Sequence, residues 1–529
     1  MGNGHIVLTH DVEVIEMKDV GVGTSWDVST KPAKEPAGWF DGFQRANRRR
    51  DKTHDHGYHP NPKPVAGLGQ YDIVAANAKT VTTPLARELK GRHLQMIAFG
   101  GSIGTGLFVA SGAALFQSGP AGLLLAYIAV GVLQYCTMQS LCELSVMFPV
   151  AGSFTAFSTR FIDPSWGFAL GWIYFLQWLF VLPLEIIAAV LTITYWNDSV
   201  PKTVFVTIFL LLIIGINLSN IRIYGEAEFI FSIIKVVAVV GFILLGIVIH
   251  IGGPPKSGYV GGQYWTHPGP FNNGFKGFSS ALITALFSYG GTEVIGLTAA
   301  ETRNPLKSFP KAIKHVFWRI TIFYLVTILL VGLLVPSNNS ALVSGKSSAD
   351  ASSSAFVIAI ESAGTTILPS VMNSVILIAV LSVGNSAVYA SSRTLAAMAE
   401  LAHAPPAFAY VDKKGRPLLT LLIAACFGLL AYLVNLEAHG TIFDWLLSIR
   451  VEMSLPDRVQ YFFLQTMALP LMAALFIYHK VRFRTHFISV DEMDLDTGRR
   501  SYRFDLDREQ DADVKRTWPI WKKVFNLLC

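Results

Sequence analysis

Long apolar segments recur along this chain of 529 residues and constrain its fold more than any other feature. A helix needs roughly 20 apolar residues to cross the hydrocarbon core of a bilayer. Nine segments approach or exceed that length, at 95–117, 120–147, 166–194, 202–219, 228–251, 275–299, 316–335, 366–392 and 417–434. A tenth, 461–478, follows a short apolar piece at 441–449 and a polar junction at 450–460. Only 15% of the residues are charged, against about 25% in soluble domains. We therefore predict an all-α, polytopic membrane protein of about ten spans and exclude a soluble enzyme.

Positive charges are distributed unevenly between the loops that join these segments. With the N-terminus in the cytosol, eleven Lys and Arg residues fall in the predicted inner loops and four in the outer loops. Lys and Arg in short loops stay on the cytosolic side, so we predict that both termini are cytosolic. The net charge of +6 then reflects topology, and we expect a lipid bilayer and no nucleic acid as partner.

The polar and apolar stretches divide the chain into five parts. Residues 1–92 show no helical or strand period, which is typical of a disordered tail. A transmembrane core is predicted at 93–449, an atypical junction at 450–460, a last transmembrane helix at 461–481 and a cytosolic C-terminal tail at 482–529.

Two predicted helices contain glycine-rich interruptions near their middle. Helix one holds four glycines within 100–106, and helix six reads Ser-Tyr-Gly-Gly-Thr-Glu at 288–293. An unwound turn in hydrocarbon leaves backbone groups unpaired at several kcal/mol each, so it survives only beside a cavity or a ligand. One such run could equally serve close helix packing. Helices one and six correspond if the core has two five-helix halves, and paired interruptions then indicate a transporter site.

The interruptions also constrain the ligand. The N-terminus of a half-helix presents free N–H groups and a partial positive charge, which suit a carboxylate. Unwound carbonyl groups suit an ammonium group, so a zwitterionic amino acid satisfies both ends of a break.

Ionisable residues inside the apolar segments are a third signal. Glu143, Glu185, Lys235 and Glu293 all lie within predicted spans, where each costs a few kcal/mol unless it is paired or hydrated. Such groups can couple transport to protons. A static ion pair between helices is the alternative, and it has more weight for Glu143 than for Glu185 and Lys235. No sodium site and no other metal site is evident.

Several motifs resemble the fungal amino acid permeases of the amino acid-polyamine-organocation superfamily. They are Gly-Ser-Ile-Gly-Thr-Gly-Leu-Phe at 101–108, the stretch 118–143, Leu-Pro-Leu-Glu at 182–185, Phe-Ser-Tyr-Gly-Gly-Thr-Glu at 287–293, Glu-Thr-Arg-Asn-Pro at 301–305, Ser-Ser-Arg at 391–393 and Gly-Arg-Pro at 415–417. The resemblance covers roughly residues 85–449 and is nearest to the branch with general, broad specificity.

This resemblance implies a five-plus-five inverted-repeat core with broken helices one and six. It also implies proton symport of amino acids across the plasma membrane by alternating access, with protons as the coupling ion and no other cofactor. The cytosolic tails are expected to meet trafficking or ubiquitination machinery.

The resemblance also assigns roles to individual residues. Thr105 and Gly106 give N–H groups to the substrate carboxylate, within an unwound segment that includes Ile103 and Gly104. The ammonium group is received by carbonyls of four residues: Ser102, Phe287, Ser288 and Gly290. The Phe287 ring forms an aromatic gate. Proton coupling is assigned to Glu185, Lys235 and Glu293.

The chain departs from the family pattern after residue 449. Helix ten is truncated there, and one further family helix is missing before the last span. A retained or mis-spliced intron is the preferred explanation, and the loss would leave the core incomplete. Two alternatives to an active permease therefore stay open: an amino-acid-binding nutrient sensor, and a non-transporting truncated isoform or mis-spliced gene model. A membrane enzyme is not expected, because the apolar segments carry no nucleophile with its base.

Overall fold

The computed structural model describes residues 71–196, 199–253, 258–303, 305–342, 354–435, 468–497 and 499. Its elements, in chain order, are α1 (Ile73–Val81), α2 (Gly91–Ser102), a π-helical turn (Gly106–Ala110), α3 (Ser111–Met147), α4 (Phe154–Phe161), α5 (Pro164–Ile193), α6 (Lys202–Leu218), α7 (Ile221–His250), α8 (Gln263–Thr266), α9 (Gly274–Tyr289), α10 (Val294–Leu297), α11 (Pro305–Leu334), α12 (Ala355–Ser362), α13 (Leu368–Glu400), α14 (Leu418–Gly428) and α15 (Ala468–Phe483).

Within these ranges, five helices are long and apolar enough to cross a membrane, and three shorter apolar helices accompany them. The longest, Gly91–Met147, is interrupted twice and comprises the first two predicted spans. Its second interruption is at Gly119, which has a φ of +75° and precedes Pro120. A Cβ at Gly119 would lie 2.7 Å from the carbonyl oxygen of Pro270, so only glycine fits this bend. The chain is an all-α, multi-pass membrane protein, as predicted.

Two long helices form the centre of the bundle. α5 and α13 pack against each other, and 78% and 72% of their most apolar windows are buried. For α7 the corresponding figure is 33%, which indicates a helix with one face turned to lipid. The interrupted helix α2 lies beside this centre and contacts α13, α11 and α7, whereas α9 packs mainly against α3.

Two predicted helix starts are wrong by several residues. α7 begins at Ile221 instead of 228, and α11 begins at Pro305 instead of 316. In both cases the omitted turns carry charged residues, among them Arg222, Glu226 and Lys307. Hydropathy marks where a helix leaves the hydrocarbon, whereas the helix itself continues as long as its backbone and packing allow.

The predicted disordered tail at 1–92 extends too far. α1 begins after Asp72, whose side chain accepts a hydrogen bond from the backbone N–H of Ala75 at 2.9 Å. Further along, Leu85 is buried with Ala151, Ala300 and other small apolar side chains. Residues 1–70 lie outside the described residues.

The chain after the core has a contact of its own with the bundle. The backbone N–H of Ile488 donates to the carbonyl of Ile162 at 2.9 Å, and Arg160 pairs with Asp494 at 3.1 Å. The last predicted span is seen from Ala468 to Phe483. Residues 436–467, which include the end of the predicted core and the junction at 450–460, lie outside the described residues.

Candidate functional site

The first interruption separates α2 from the π-helical turn. α2 ends at Ser102, Ile103 is extended with φ −80° and ψ 101°, and helical geometry resumes at Thr105. A Cβ at Gly104 would lie 2.4 Å from the side chain of Val383, so a larger residue would push α13 away. The first N–H groups of a helix have no partner within it, and Thr105 and Gly106 stand at this position.

The second interruption separates α9 from α10. Gly290 has ψ 140°, and Gly291 has φ +101°, a conformation that side-chain-bearing residues rarely adopt. A Cβ at Gly291 would lie 2.3 Å from the carbonyl oxygen of Gly101, and one at Gly106 would lie 2.7 Å from Cα of Ser288. The structure therefore brings the two interruptions into direct backbone contact.

Tyr324 of α11 connects the two breaks. Its hydroxyl oxygen lies 2.8 Å from the carbonyl oxygen of Ser102 and 2.8 Å from that of Ser288. The Ser288 hydroxyl is in turn 2.7 Å from the Tyr127 hydroxyl. Two of the carbonyls predicted to receive an ammonium group thus already face a hydroxyl donor, although each carbonyl has a second lone pair.

Neither tyrosine was predicted to belong to the site. Tyr127 and Tyr324 lie on uninterrupted apolar stretches of α3 and α11, and both are fully buried. The available signal was chemical, since a buried tyrosine hydroxyl normally finds a partner. The sequence does not show which partner it finds.

The remaining predicted substrate residues line the same junction. Ile103 is fully buried, and Gly290 ends α9. The Phe287 ring lies against Gly106, where a Cβ would come within 3.0 Å of Cδ1 of the ring. Phe287 is 8% exposed.

Two of the three predicted coupling residues flank the first break. The Thr105 hydroxyl donates a hydrogen bond to Glu185 of α5, and the Lys235 ammonium of α7 donates to the carbonyl of Gly100 at 2.7 Å. Glu185 is 1% exposed and Lys235 is fully buried. One charged residue is therefore attached to each half of the first interrupted helix.

The third predicted coupling residue lies elsewhere. Glu293 is half-buried beside the second break, where it accepts hydrogen bonds from the backbone N–H of Gly291 at 2.8 Å and from the Tyr174 hydroxyl at 3.3 Å. The prediction that Glu143 is buried is wrong: its side chain is exposed, close to the end of α3.

The structure adds a buried carboxylate that was not predicted. Glu228 of α7 is fully buried and interacts electrostatically with Lys235. It was overlooked because the predicted fifth span begins at 228, where a Glu is an ordinary residue of a helix end. In the structure, α7 starts seven residues earlier, which places Glu228 inside the bundle.

A multi-pass helical bundle whose two interrupted helices meet beside buried charges defines a membrane transporter. The comparisons with known proteins agree with this class. A model of the amino acid permease family matches residues 93–455. The general amino-acid permease GAP2 of Candida albicans is 44% identical, with 94% of each chain covered. The general amino-acid permease GAP1 of Saccharomyces cerevisiae is 43% identical over 85% of this chain and 87% of its own. This chain belongs to the amino acid permease family, and it is a transporter rather than an enzyme.

Another relative carries a different substrate in its name. The S-adenosylmethionine permease GAP4 of Candida albicans is 50% identical over 69% of this chain and 60% of its own length. Among solved structures, the chain is similar to a sodium-coupled sialic acid symporter, with a TM-score of 0.48, 12% identity and coverage of 77% of this chain and 94% of that one.

The alignment with the GAP2 permease contains gaps on the side of this chain. It runs over 566 positions, whereas 94% of this 529-residue chain is about 497 residues. About 69 aligned positions therefore have no residue in this chain.

Proposed function

We propose that this chain is a proton-coupled permease that imports amino acids of varied side chain across the plasma membrane by alternating access, with both termini in the cytosol. One observation carries the proposal: the two helix breaks touch each other at Gly101 with Gly291 and at Gly106 with Ser288. This contact gathers helix N-terminal N–H groups and unwound carbonyls into one place.

The substrate's two charged groups have separate partners at this junction. Its carboxylate binds the N–H groups of Thr105 and Gly106, where the helix dipole also favours negative charge. Its ammonium group binds the carbonyls of Ser102 and Ser288, with those of Phe287 and Gly290 as further acceptors. The backbone supplies these contacts, so they are the same for every amino acid, which supports broad specificity.

The attachments of the first interrupted helix support proton coupling. Glu185 holds Thr105, in the half that receives the carboxylate, and Lys235 holds Gly100, in the other half. Protonation of Glu185 exchanges a charge-assisted hydrogen bond for a weaker neutral one. Glu185 therefore links proton binding to the position of Thr105. Glu293 holds Gly291 in the second break in the same manner.

Uptake by cells that lack their own permeases tests the proposal. Radiolabelled L-leucine, L-arginine and L-glutamate should all enter, and faster at an acidic than at a neutral external pH. The matched control is Glu143→Gln, which removes an exposed carboxylate outside the site. Equal uptake at both pH values would refute proton coupling.

A nutrient sensor is the second candidate, favoured by the positions missing from the GAP2 alignment. Loss of a segment outside the two breaks can spare binding while preventing transport. Amino-acid-dependent signalling without uptake would support the sensor. Sequencing the transcript across the junction of residues 449 and 450 would show whether the missing segment is present in the cell.

A further inference from the structure

Glu228 and Lys235 lie on one face of α7 and hold the same peptide of α2 between them. They are seven residues apart, about two turns of helix. The Lys235 ammonium donates to the Gly100 carbonyl at 2.7 Å. A Cβ at Gly100 would come within 2.0 Å of Oε2 of Glu228, so the carboxylate lies directly against this glycine. Both charges are thus placed at the last turns of α2 before the break.

A chain of amides fixes the hydrogen-bonding role of Glu228. The Asn217 amide donates to the carbonyl of Ile213 at 3.0 Å and to Oδ1 of Asn385 at 2.7 Å. This orients the Asn385 NH₂ group towards Oε1 of Glu228, to which it donates at 2.6 Å. An amide NH₂ group is a donor only. The Asn217 amide of α6 thus fixes Asn385 of α13 so that Glu228 must accept at this oxygen.

The second carboxylate oxygen of Glu228 is an acceptor as well. The Ser382 hydroxyl donates to Oε2 at 2.7 Å, and the Ser386 hydroxyl adds a longer contact of 3.4 Å to Oε1. Donors on both oxygens favour the ionised carboxylate. Three donors on α13 thus favour the ionised form of Glu228.

Among the other titratable groups around this cluster, Tyr224 interacts electrostatically with Glu228, and the remaining groups contact one another. On α7, Tyr224 stacks on Tyr389 of α13 at 4.5 Å between ring centroids. Arg393 of α13 pairs with Glu301, which follows α10, at 3.5 Å. At the beginning of α2 and α7, Arg92 and His93 contact Glu226. The remaining charges near Lys235 are Glu185 of α5 and Glu228.

The charges of Glu185, Glu228 and Lys235 do not balance. With all three ionised, these three residues together carry a net charge of −1, and a net charge buried in the membrane is expensive. One additional proton neutralises the cluster. Because Asn385, Ser382 and Ser386 all donate to Glu228, its ionised form is favoured, and that proton goes to Glu185, which contacts Thr105.

We propose that Glu228 is a positioning residue, the fixed counter-ion of Lys235, and that its charge creates the requirement for one proton at Glu185 when an amino acid binds. The inference rests on the proposed function and deepens it. It adds a residue that carries no transported proton itself but sets how many protons the site takes up.

Glu228→Gln is a suitable test because it removes the charge and keeps the hydrogen bonds. The Gln oxygen can accept from Asn385, and its NH₂ group can donate to the Ser382 hydroxyl, which rotates to accept. Affinity for radiolabelled L-leucine is measured on the purified full-length chain in lipid nanodiscs across a pH series. The wild type should bind about tenfold more tightly per unit fall in pH while one proton is taken up. In the Glu228→Gln variant, the charges of Glu185 and Lys235 cancel without an added proton, so the affinity of this variant should be independent of pH.

The double variant Glu228→Gln, Lys235→Met distinguishes charge from structure. It leaves Glu185 as the single charge of the cluster, so the pH dependence should return. A Glu228→Gln variant with the wild-type slope, including one with weaker affinity at every pH, would overturn the inference. A flat wild-type profile would refute proton coupling and the charge count together, whereas a wild-type slope retained in the variant refutes the inference alone.

Thermal unfolding provides a readout that does not need L-leucine. Absence of binding by the wild type would refute the proposed function. The melting temperatures of the wild type, the two single variants and the double variant would then still test the inference. Lys235→Met alone leaves two buried carboxylates without the Lys235 ammonium group, so adding Glu228→Gln should raise the melting temperature. No increase would show that the two residues are not counter-ions.

Discussion

Gly291→Ala tests whether the contact between the two helix breaks is essential. An added Cβ would lie 2.3 Å from the carbonyl oxygen and 2.5 Å from the carbonyl carbon of Gly101, both backbone atoms that no rotamer change can move. The φ of +101° adds strain of about 1–2 kcal/mol for a residue with a side chain. Forcing an extra carbon into a packed contact costs about 1–3 kcal/mol. We expect Gly291→Ala to lose about 2–5 kcal/mol of stability.

The measurement is thermal unfolding of the purified protein followed by tryptophan fluorescence, together with L-leucine uptake. Gly241→Ala is the matched control, because Gly241 is in the interior of α7 and a Cβ there meets no atom within 4 Å. That control should be neutral or slightly stabilising, since alanine is the better helix former. If Gly291→Ala melts with the wild type and transports normally, the two breaks do not need to touch and the geometry argued for the site is wrong.

Three further predictions concern single side chains. Tyr324→Phe removes the hydroxyl shared by the Ser102 and Ser288 carbonyls, so it should cost about 1–3 kcal/mol of stability without weakening L-leucine binding. The control is Tyr259→Phe, because the Tyr259 side chain is 76% exposed. Weaker binding by Tyr324→Phe would show that its hydroxyl serves the substrate. Glu185→Gln should abolish the difference between uptake at acidic and neutral external pH, and an unchanged difference removes Glu185 from coupling. Burial and the neighbouring His479 hold the pKa of His403, in the loop after α13, well below its usual 6.5. The unfolded chain takes up a proton as the pH falls through 6.5 and the folded protein does not, so thermal stability should decline below that pH, and less steeply in His403→Phe.

The spans and the two interruptions could be predicted because both depend on local composition. A long run of apolar residues in a membrane protein forms a spanning helix, and clustered glycines within such a run mark a break in that helix. The end of the first span was predicted closely, because Gly119 lies in the predicted gap between the spans 95–117 and 120–147. The same reasoning failed at α7, where charged turns outside the hydrocarbon hid the true start of the helix.

The partners of the site could not be predicted, because they come from helices distant in sequence. Glu228 receives its hydrogen bonds from residues more than 150 positions away, and Tyr324 reaches Ser102 across 222 positions. Pattern and propensity act over a few turns, whereas such contacts depend on how whole helices pack. Glu293 shows the converse: its place next to a glycine break was predicted, but not its separation from the Lys235 cluster.

The Tyr324 hydroxyl has one proton and two carbonyls within reach, so it can satisfy only one of them at a time. In the proposed binding mode, an arriving ammonium group, with three protons, satisfies both carbonyls and releases the tyrosine. Binding of an amino acid then requires its ammonium group to replace the Tyr324 hydroxyl as the hydrogen-bond donor to these carbonyls. A carboxylic acid without an amino group has no donor that can replace this hydroxyl, so we expect it not to bind, however well its side chain fits.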